Sequence, residues 1–259
     1  MVGVSRKVFT IHSAVLEPLS RYFVVLINGP FLEAQEGIVE WPDIEEETFI
    51  AFSQFAYDGD YMPPDTFRPY TIAAGPTRGN HVAQRAEYAS CGISRCSLIN
   101  WHYAASTSRS EDEARRQSPH WPIREKFMDM TRQLRTSSTK EVFAEPEALL
   151  SHAKMYVLGD RYDMPNLRKL ALDKLAFILS HMILSYRAAD HVAQFVEYVY
   201  KNTRTLQNFP NHDGLRRLLV TFSACVYDQF LINVQFSQAV RAHGEFSLGV
   251  LELLQASTP

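Results

Sequence analysis

Cys91 and Cys96, followed by His102, come nearest to chemistry by residue type and spacing. Two thiolates and an imidazole fill three positions of a tetrahedral zinc site. The spacing of the two cysteines is loose and no fourth ligand stands close by, so free thiols are the expectation and no metal is assigned. Cys225 makes the cysteine count odd, which speaks against a disulfide framework and for a reducing compartment. The chain holds no G-x-S-x-G elbow, no phosphate-cradling G-x-x-x-x-G-K-S/T, no G-x-G-x-x-G and no H-E-x-x-H. Its histidines and acids are scattered, which leaves only a triad assembled in space. No catalytic or cofactor-binding residue is assigned, and an enzyme is not the expected class. Arg115-Arg116 and Arg216-Arg217 are the adjacent arginine pairs. Nucleic-acid binding wants a clustered basic stripe, so both pairs are expected on solvated faces.

The charge balance agrees. Net charge is −3 in 259 residues, too little to recruit nucleic acid or an anionic membrane surface. The first 61 residues carry 3 Lys/Arg against 10 Asp/Glu, a local excess that suits solubility or a basic partner. Hydrophobic residues are 46% and charged residues 21%, enough for a sizeable core. The most apolar stretch, Leu175 to Leu184, contains Ser180 and His181 and falls short of the roughly 18 residues a span needs. Met1 to Ile11 lacks a secretory pattern. A soluble, intracellular protein of the cytoplasm or nucleus is expected.

The elements that would position side chains follow from periodicity. Val8 to Ile11 and Gly37 to Trp41 read as short strands. Ser20 caps a helix with the apolar body Tyr22 to Ile27, ended by Asn28-Gly29, which tolerates the left-handed conformation, and then by Pro30, which cannot continue a helix. Asp43 is expected as the N-cap of a helix whose face is Phe49, Phe52 and Phe55, stopping at Tyr57-Asp58-Gly59. From Pro63 to about Ser138 turn signals and polar runs predict loop, with one docked helix near 123–135 on Ile123, Phe127, Met130 and Leu134. Leu149, Leu150, Ala153 and Val157 form the next face, with Pro165 as its end. Leu167, Leu170, Ala171, Leu175, Ile178 and Leu179 recur at three- and four-residue intervals, as do Val192 to Tyr200 and Leu215 to Val226. A last helix includes Val250 to Leu254. The fold class is α+β, mostly helical.

Phe9-Thr-Ile-His12, Val15-Leu16 and Ser20-Arg-Tyr-Phe23 resemble the opening of a BTB/POZ domain. Phe31-x-Glu33-Ala34 and the run from Ile38 through Phe49 and Phe52 to Tyr57-Asp58-Gly59-Asp60-Tyr61 are similar to its next motifs. Leu150-Ser-His-Ala153, Tyr156-Val157, Asp160-Arg-Tyr162 and Leu167-x-x-Leu170-Ala171 look like its closing helices. Glu197 to Thr203, Asp213 to Arg217 and Phe236 to Phe246 resemble the helical extension of fungal members.

The resemblance implies a BTB/POZ-like domain with a small sheet, a long inserted loop and a C-terminal helical extension. Residues 1–61 would form its first half, 62–147 the insertion, 148–180 the closing helices and 181–259 the extension. Only Val2-Gly3-Val4 stands where the family has its first strand, so the chain reads as N-terminally truncated and a strand-exchanged dimer is not expected. His12 would sit at a strand-to-helix junction as a hydrogen-bonded structural residue. The function implied is a protein–protein interaction module, a substrate adaptor for a cullin-type ubiquitin ligase. The alternatives are a nuclear transcription-associated scaffold and an enzyme of unrecognised type. Phe143-Ala144-Glu145, ahead of Leu149-Leu150, resembles the family's hydrophobic-x-acidic triplet that contacts the cullin scaffold. Phe143 would be the anchor and Glu145 would answer a basic rim.

Overall fold

The computed structural model describes residues 1–62, 121–134, 148–182, 184–203 and 214–256, and these are mostly helical. The chain divides into two compact units. Unit 1 comprises Met1–Phe67 with Ser151–Leu172, and unit 2 comprises Arg68–Leu150 with Asp173–Pro259.

In unit 1, helix α1 (Ser13–Leu16) passes through a 3-10 turn (Glu17–Leu19) to α2 (Arg21–Asn28) and α3 (Leu32–Glu36). Ser20 caps α2 by accepting from Phe23 N at 3.4 Å. Gly29 ends the helix in extended conformation, not left-handed. A Cβ there would stand 2.3 Å from Val25 O, so glycine is required for close approach, not for a positive φ. Helix α4 (Glu46–Asp58) starts after Glu45, not after Asp43. Asp43 is instead drawn into an ion pair with Arg161, which removes it from the helix end. Gly59, at φ +72°, closes α4 by donating to Phe55 O at 2.8 Å.

The core of this unit is aromatic. Phe23 meets Phe52 at 5.9 Å and Trp41 at 6.2 Å, and Tyr162 meets Trp41 at 5.3 Å between ring centres. Of the apolar body of α2 only Phe23 is buried; Tyr22, Val24 and Val25 are exposed.

The expected small sheet is not formed among the described residues. Val8–Ile11 and Gly37–Trp41 are outside any strand; there are only isolated bridges, Val2 antiparallel to Lys7 and Val2 parallel to Trp41. Val2 is the middle of this arrangement, and the chain turns away at once through Gly3 (φ +70°) and Arg6 (φ +51°). Each flank therefore has a single bridge to Val2 instead of a ladder.

Helix α6 (Ala148–Arg161) and α7 (Pro165–His181) are each divided between the units by the chain partition. They follow α5 (Trp121–Leu134), which covers the helix expected near 123–135. Pro165 opens α7; it does not end α6, consistent with proline's fitness for a first helical turn. Asp163, at φ +50°, makes the turn between them. Leu167, Ala171, Leu175, Ile178 and Leu179 are fully buried, whereas Leu170 is only half-buried.

Unit 2 is built from α5, α8 (Tyr186–Asn202), α9 (Gly214–Phe230), α10 (Val234–Ala242) and α11 (Gly244–Ala256), with the end of α7. Helix α9 packs against α5, α8 and α11. It therefore buries side chains around most of its circumference, from Leu215 to Phe230. Ile123 and Phe127 of α5 are buried, with Phe127 5.7 Å from Phe222, while Met130 is half-buried. Gly249 of α11 lets that helix approach Val220, whose Cγ1 would lie 3.1 Å from an added Cβ. No helix among the described residues is long and apolar enough to cross a membrane.

Candidate functional site

Unit 1 carries an apolar groove of about 390 Å³. Phe9, Ile11, Leu16, Phe23, Leu26 and Val39 are among its lining residues. The pairing around Val2 explains its shape. Val2 and Lys7 exchange hydrogen bonds at 2.9 and 3.0 Å; Trp41 N donates to Met1 O at 2.8 Å and Gly3 N to Trp41 O at 3.0 Å. Met1 N also donates to Val39 O. Met1–Gly3 thus occupies a middle position between two extended stretches. Beyond it the backbone N–H and C=O groups of Phe9, Thr10 and Ile11, and those of Ile38, make no backbone hydrogen bond among the described residues.

Side chains alternate as a sheet requires. Phe9, Ile11 and Val39 are half-buried and Val2 and Trp41 buried, while Val8 (73% exposed) and Ile38 (47% exposed), which also line the groove, are open to solvent. Phe31 and Leu32, the latter 64% exposed, add apolar surface near by in the chain. Glu33 also lines the groove, and its charge, after burial, helps raise the Tyr22 phenol above its ordinary value.

The polar stations of the two units are structural in geometry. His12 receives Tyr57: Nδ1 lies 2.6 Å from the phenol oxygen, and the His12 N–H donates to it at 3.1 Å. Tyr61 and His152 are buried and joined at 2.8 Å; burial, then Asp60, raises the Tyr61 phenol.

In unit 2, Arg216 overturns the expectation of a solvated pair. It is buried, at 2% exposure, while Arg217 is exposed. Its guanidinium donates to Glu245 at 2.6 Å, to Thr203 Oγ1 at 2.7 Å and to Thr203 O at 2.6 Å, and lies 4.4 Å from the Tyr200 ring centre. The signal was that 215–226 is apolar around most of the helix, which leaves a narrow solvated strip that holds Arg217 and not Arg216. Cys225 is buried, and burial pushes its thiol well up, so it is no thiolate nucleophile at neutral pH.

Phe143 and Glu145 lie outside the described residues, as do Cys91, Cys96, His102 and the Arg115-Arg116 pair. Among the described residues no three His, Cys, Asp or Glu side chains converge as a metal site would need. The groove was legible only in part, because strand alternation marks Phe9 and Ile11 as inward without telling that their neighbouring position is open. Comparison with family models, curated proteins and solved structures finds no match to this chain.

Proposed function

We propose that the chain is a protein–protein interaction module. The groove of unit 1 carries this reading: large apolar side chains stand half-buried beside backbone groups without backbone partners, an arrangement that another polypeptide can complete. Interfaces of this kind take their energy from a few apolar anchors inside a polar rim.

Within that reading, the BTB/POZ resemblance makes the module a substrate adaptor for a cullin-type ubiquitin ligase, with Phe143 and Glu145 at the scaffold contact. Calorimetry with a purified cullin scaffold tests the assignment. The wild type should bind, and Phe143→Ala with Glu145→Ala should weaken binding by about 1–3 kcal/mol once folding is confirmed. A wild type that shows no binding at millimolar scaffold, or a double variant that binds equally well, defeats the adaptor assignment.

A further inference from the structure

We propose that the corner between α9 and α10 in unit 2 is an interaction surface that pairs with the same corner of a second copy of this chain. The surface is separate from the groove of unit 1 and goes beyond the reading built on it. Leu231, Ile232 and Val234 are exposed, Ile232 to 54% and Val234 to 58%, and so is Tyr186 at the start of α8. A single exposed leucine needs no account, but four large apolar side chains in one corner do. Asn233 holds them together: its amide nitrogen, in the middle of the turn, donates to Tyr186 O at 3.1 Å.

The corner has no freedom to fold these side chains inward. Asn233 is fully buried, accepts from Phe236 N at 2.8 Å and donates also to Asp190 Oδ1 at 2.8 Å. Its own N–H reaches Phe230 O at 2.9 Å. Phe230 and Phe236 fill the core beneath, with ring centres 5.6 Å apart. Turning Ile232 or Val234 inward would break those bonds and displace two buried rings. The apolar surface is thus presented in a fixed shape, which lowers the entropy lost on association.

The charges at its two ends choose the occupant. Asp228 is exposed one turn before Leu231 on α9, and Arg187 is exposed next to Tyr186 on α8. Asp190 is turned to Asn233, and Gln235 and Gln238, exposed along α10, add no charge. A basic partner would be repelled at Arg187 and an acidic one at Asp228. A second copy related by a two-fold axis through the corner reverses the order, so Arg187 of each chain meets Asp228 of the other across an apolar centre. Four side chains make the centre of an interface, not the whole of the about 800 Å² per partner that a stable one buries. The dimer is therefore weak and concentration-dependent.

Sedimentation velocity of the full chain, at concentrations up to about 0.5 mM, should show a monomer–dimer equilibrium with a Kd of about 10–100 µM. Ile232→Asp should weaken it about tenfold or more. Arg187→Glu or Asp228→Arg should each weaken it about tenfold as well, with folding checked by circular dichroism. Each of these two charged residues also has an interaction within its own chain, and mixing the two variants separates that from contact between chains. In an equimolar mixture of Arg187→Glu and Asp228→Arg both cross-chain pairs are again of opposite sign, so the mixed dimer should form at about wild-type strength. A wild type that stays monomeric at the highest concentration overturns the proposal and leaves the corner to a different partner. So does self-association that Ile232→Asp does not weaken, or a mixture that associates no better than its components.

Discussion

In unit 2, helix α9 hides side chains around most of its circumference, whereas in unit 1 helix α2 hides Phe23 and leaves Tyr22, Val24 and Val25 in solvent. The two sequences do not differ in that direction: Tyr22 to Ile27 is an unbroken apolar run, and α9 contains two arginines. The difference lies in the neighbours. Helix α9 has α5, α8 and α11 around it, while α2 packs against the short α1, the 3-10 turn and α3 and lines the groove with Phe23, Leu26 and Ile27. Burial is a property of the packing partners, and apolar residues without them become a surface for another molecule. Unit 2 thus closes a core around α9, and unit 1 keeps the groove proposed for binding.

Helix α7 allows the sharpest break of this comparison, since the partition places Leu170 in unit 1 and Leu175 in unit 2. Leu175 is fully buried and Leu170 half-buried. Leu175→Asp should cost about 4 kcal/mol or more, because a carboxylate enters an apolar site. Leu170→Asp should cost about 1–2 kcal/mol, its carboxylate retaining access to water. Circular dichroism melts of the two variants check this; equal loss at both positions would erase the distinction drawn along the helix.

Ion pairs differ between the units in the same sense. Arg216 sits at 3% side-chain exposure against Glu245, whereas Lys154 with Glu45 in unit 1 is 25% and 60% exposed. Arg216→Ala deletes a buried cation together with its bonds to Thr203 and its contact with Tyr200, and should cost about 3–5 kcal/mol in urea unfolding. Lys154→Ala should cost about 0–1 kcal/mol. Arg216→Met, which keeps the packing, should lie between them. If the alanine variants melt alike, burial of the pair carries no energetic weight.

The helices of the second half were legible because three- and four-residue spacing reports which side of an element is apolar. Leu167, Ala171, Leu175 and the faces of α8 and α9 are buried as that spacing implies. The Ser20 cap and the extent of α5 were legible for similarly local reasons. Periodicity does not report whether a partner exists to cover the apolar side, and there the reading failed: of the two expected strands only Trp41 forms a bridge, a single one to Val2, and the body of α2 stayed largely exposed. Residues with two opposite uses were also misjudged. Pro165 suits either side of a helix boundary, and Asp43 suits either a cap or an ion pair, so the choice was made by Arg161 from far along the chain. Of the candidate site, the triplet at Phe143 and Glu145 lies outside the described residues. The groove needed the pairing of Val2 before it became visible.

Alkaline pH probes the two aromatic clusters. Burial pushes the Tyr162 phenol in unit 1 up to about 12, against about 10 for an unfolded tyrosine. Its folded form therefore holds the proton where the unfolded form has lost it. The resulting stability is full below about pH 10 and lost as pH rises toward 12. In unit 2, burial likewise raises Tyr200, with Arg216 pulling against it. Thermal midpoints should fall between about pH 10 and 12, and Tyr162→Phe should flatten that fall while leaving the midpoint at pH 7 nearly unchanged. An unaltered alkaline slope would mean that the phenol is solvated in the folded protein.

The smallest contrast uses one chemistry, a side-chain oxygen capping a helix, in the two settings. Ser20 accepts from Phe23 N at 3.4 Å, a long bond at the start of the mostly exposed helix α2. Asn233 accepts from Phe236 N at 2.8 Å at 0% exposure, and its amide nitrogen donates to Tyr186 O at 3.1 Å and Asp190 Oδ1 at 2.8 Å. It therefore caps α10 and ties that cap to the start of α8. Asn233→Ala removes all three bonds from a dry site and should cost about 2 kcal/mol. Ser20→Ala gives up one weak bond where water can replace it, and about 0.5 kcal/mol is expected. Paired urea melts decide the matter. A loss at Ser20 as large as at Asn233 would mean that the surroundings of α2 are as closed as those of α10.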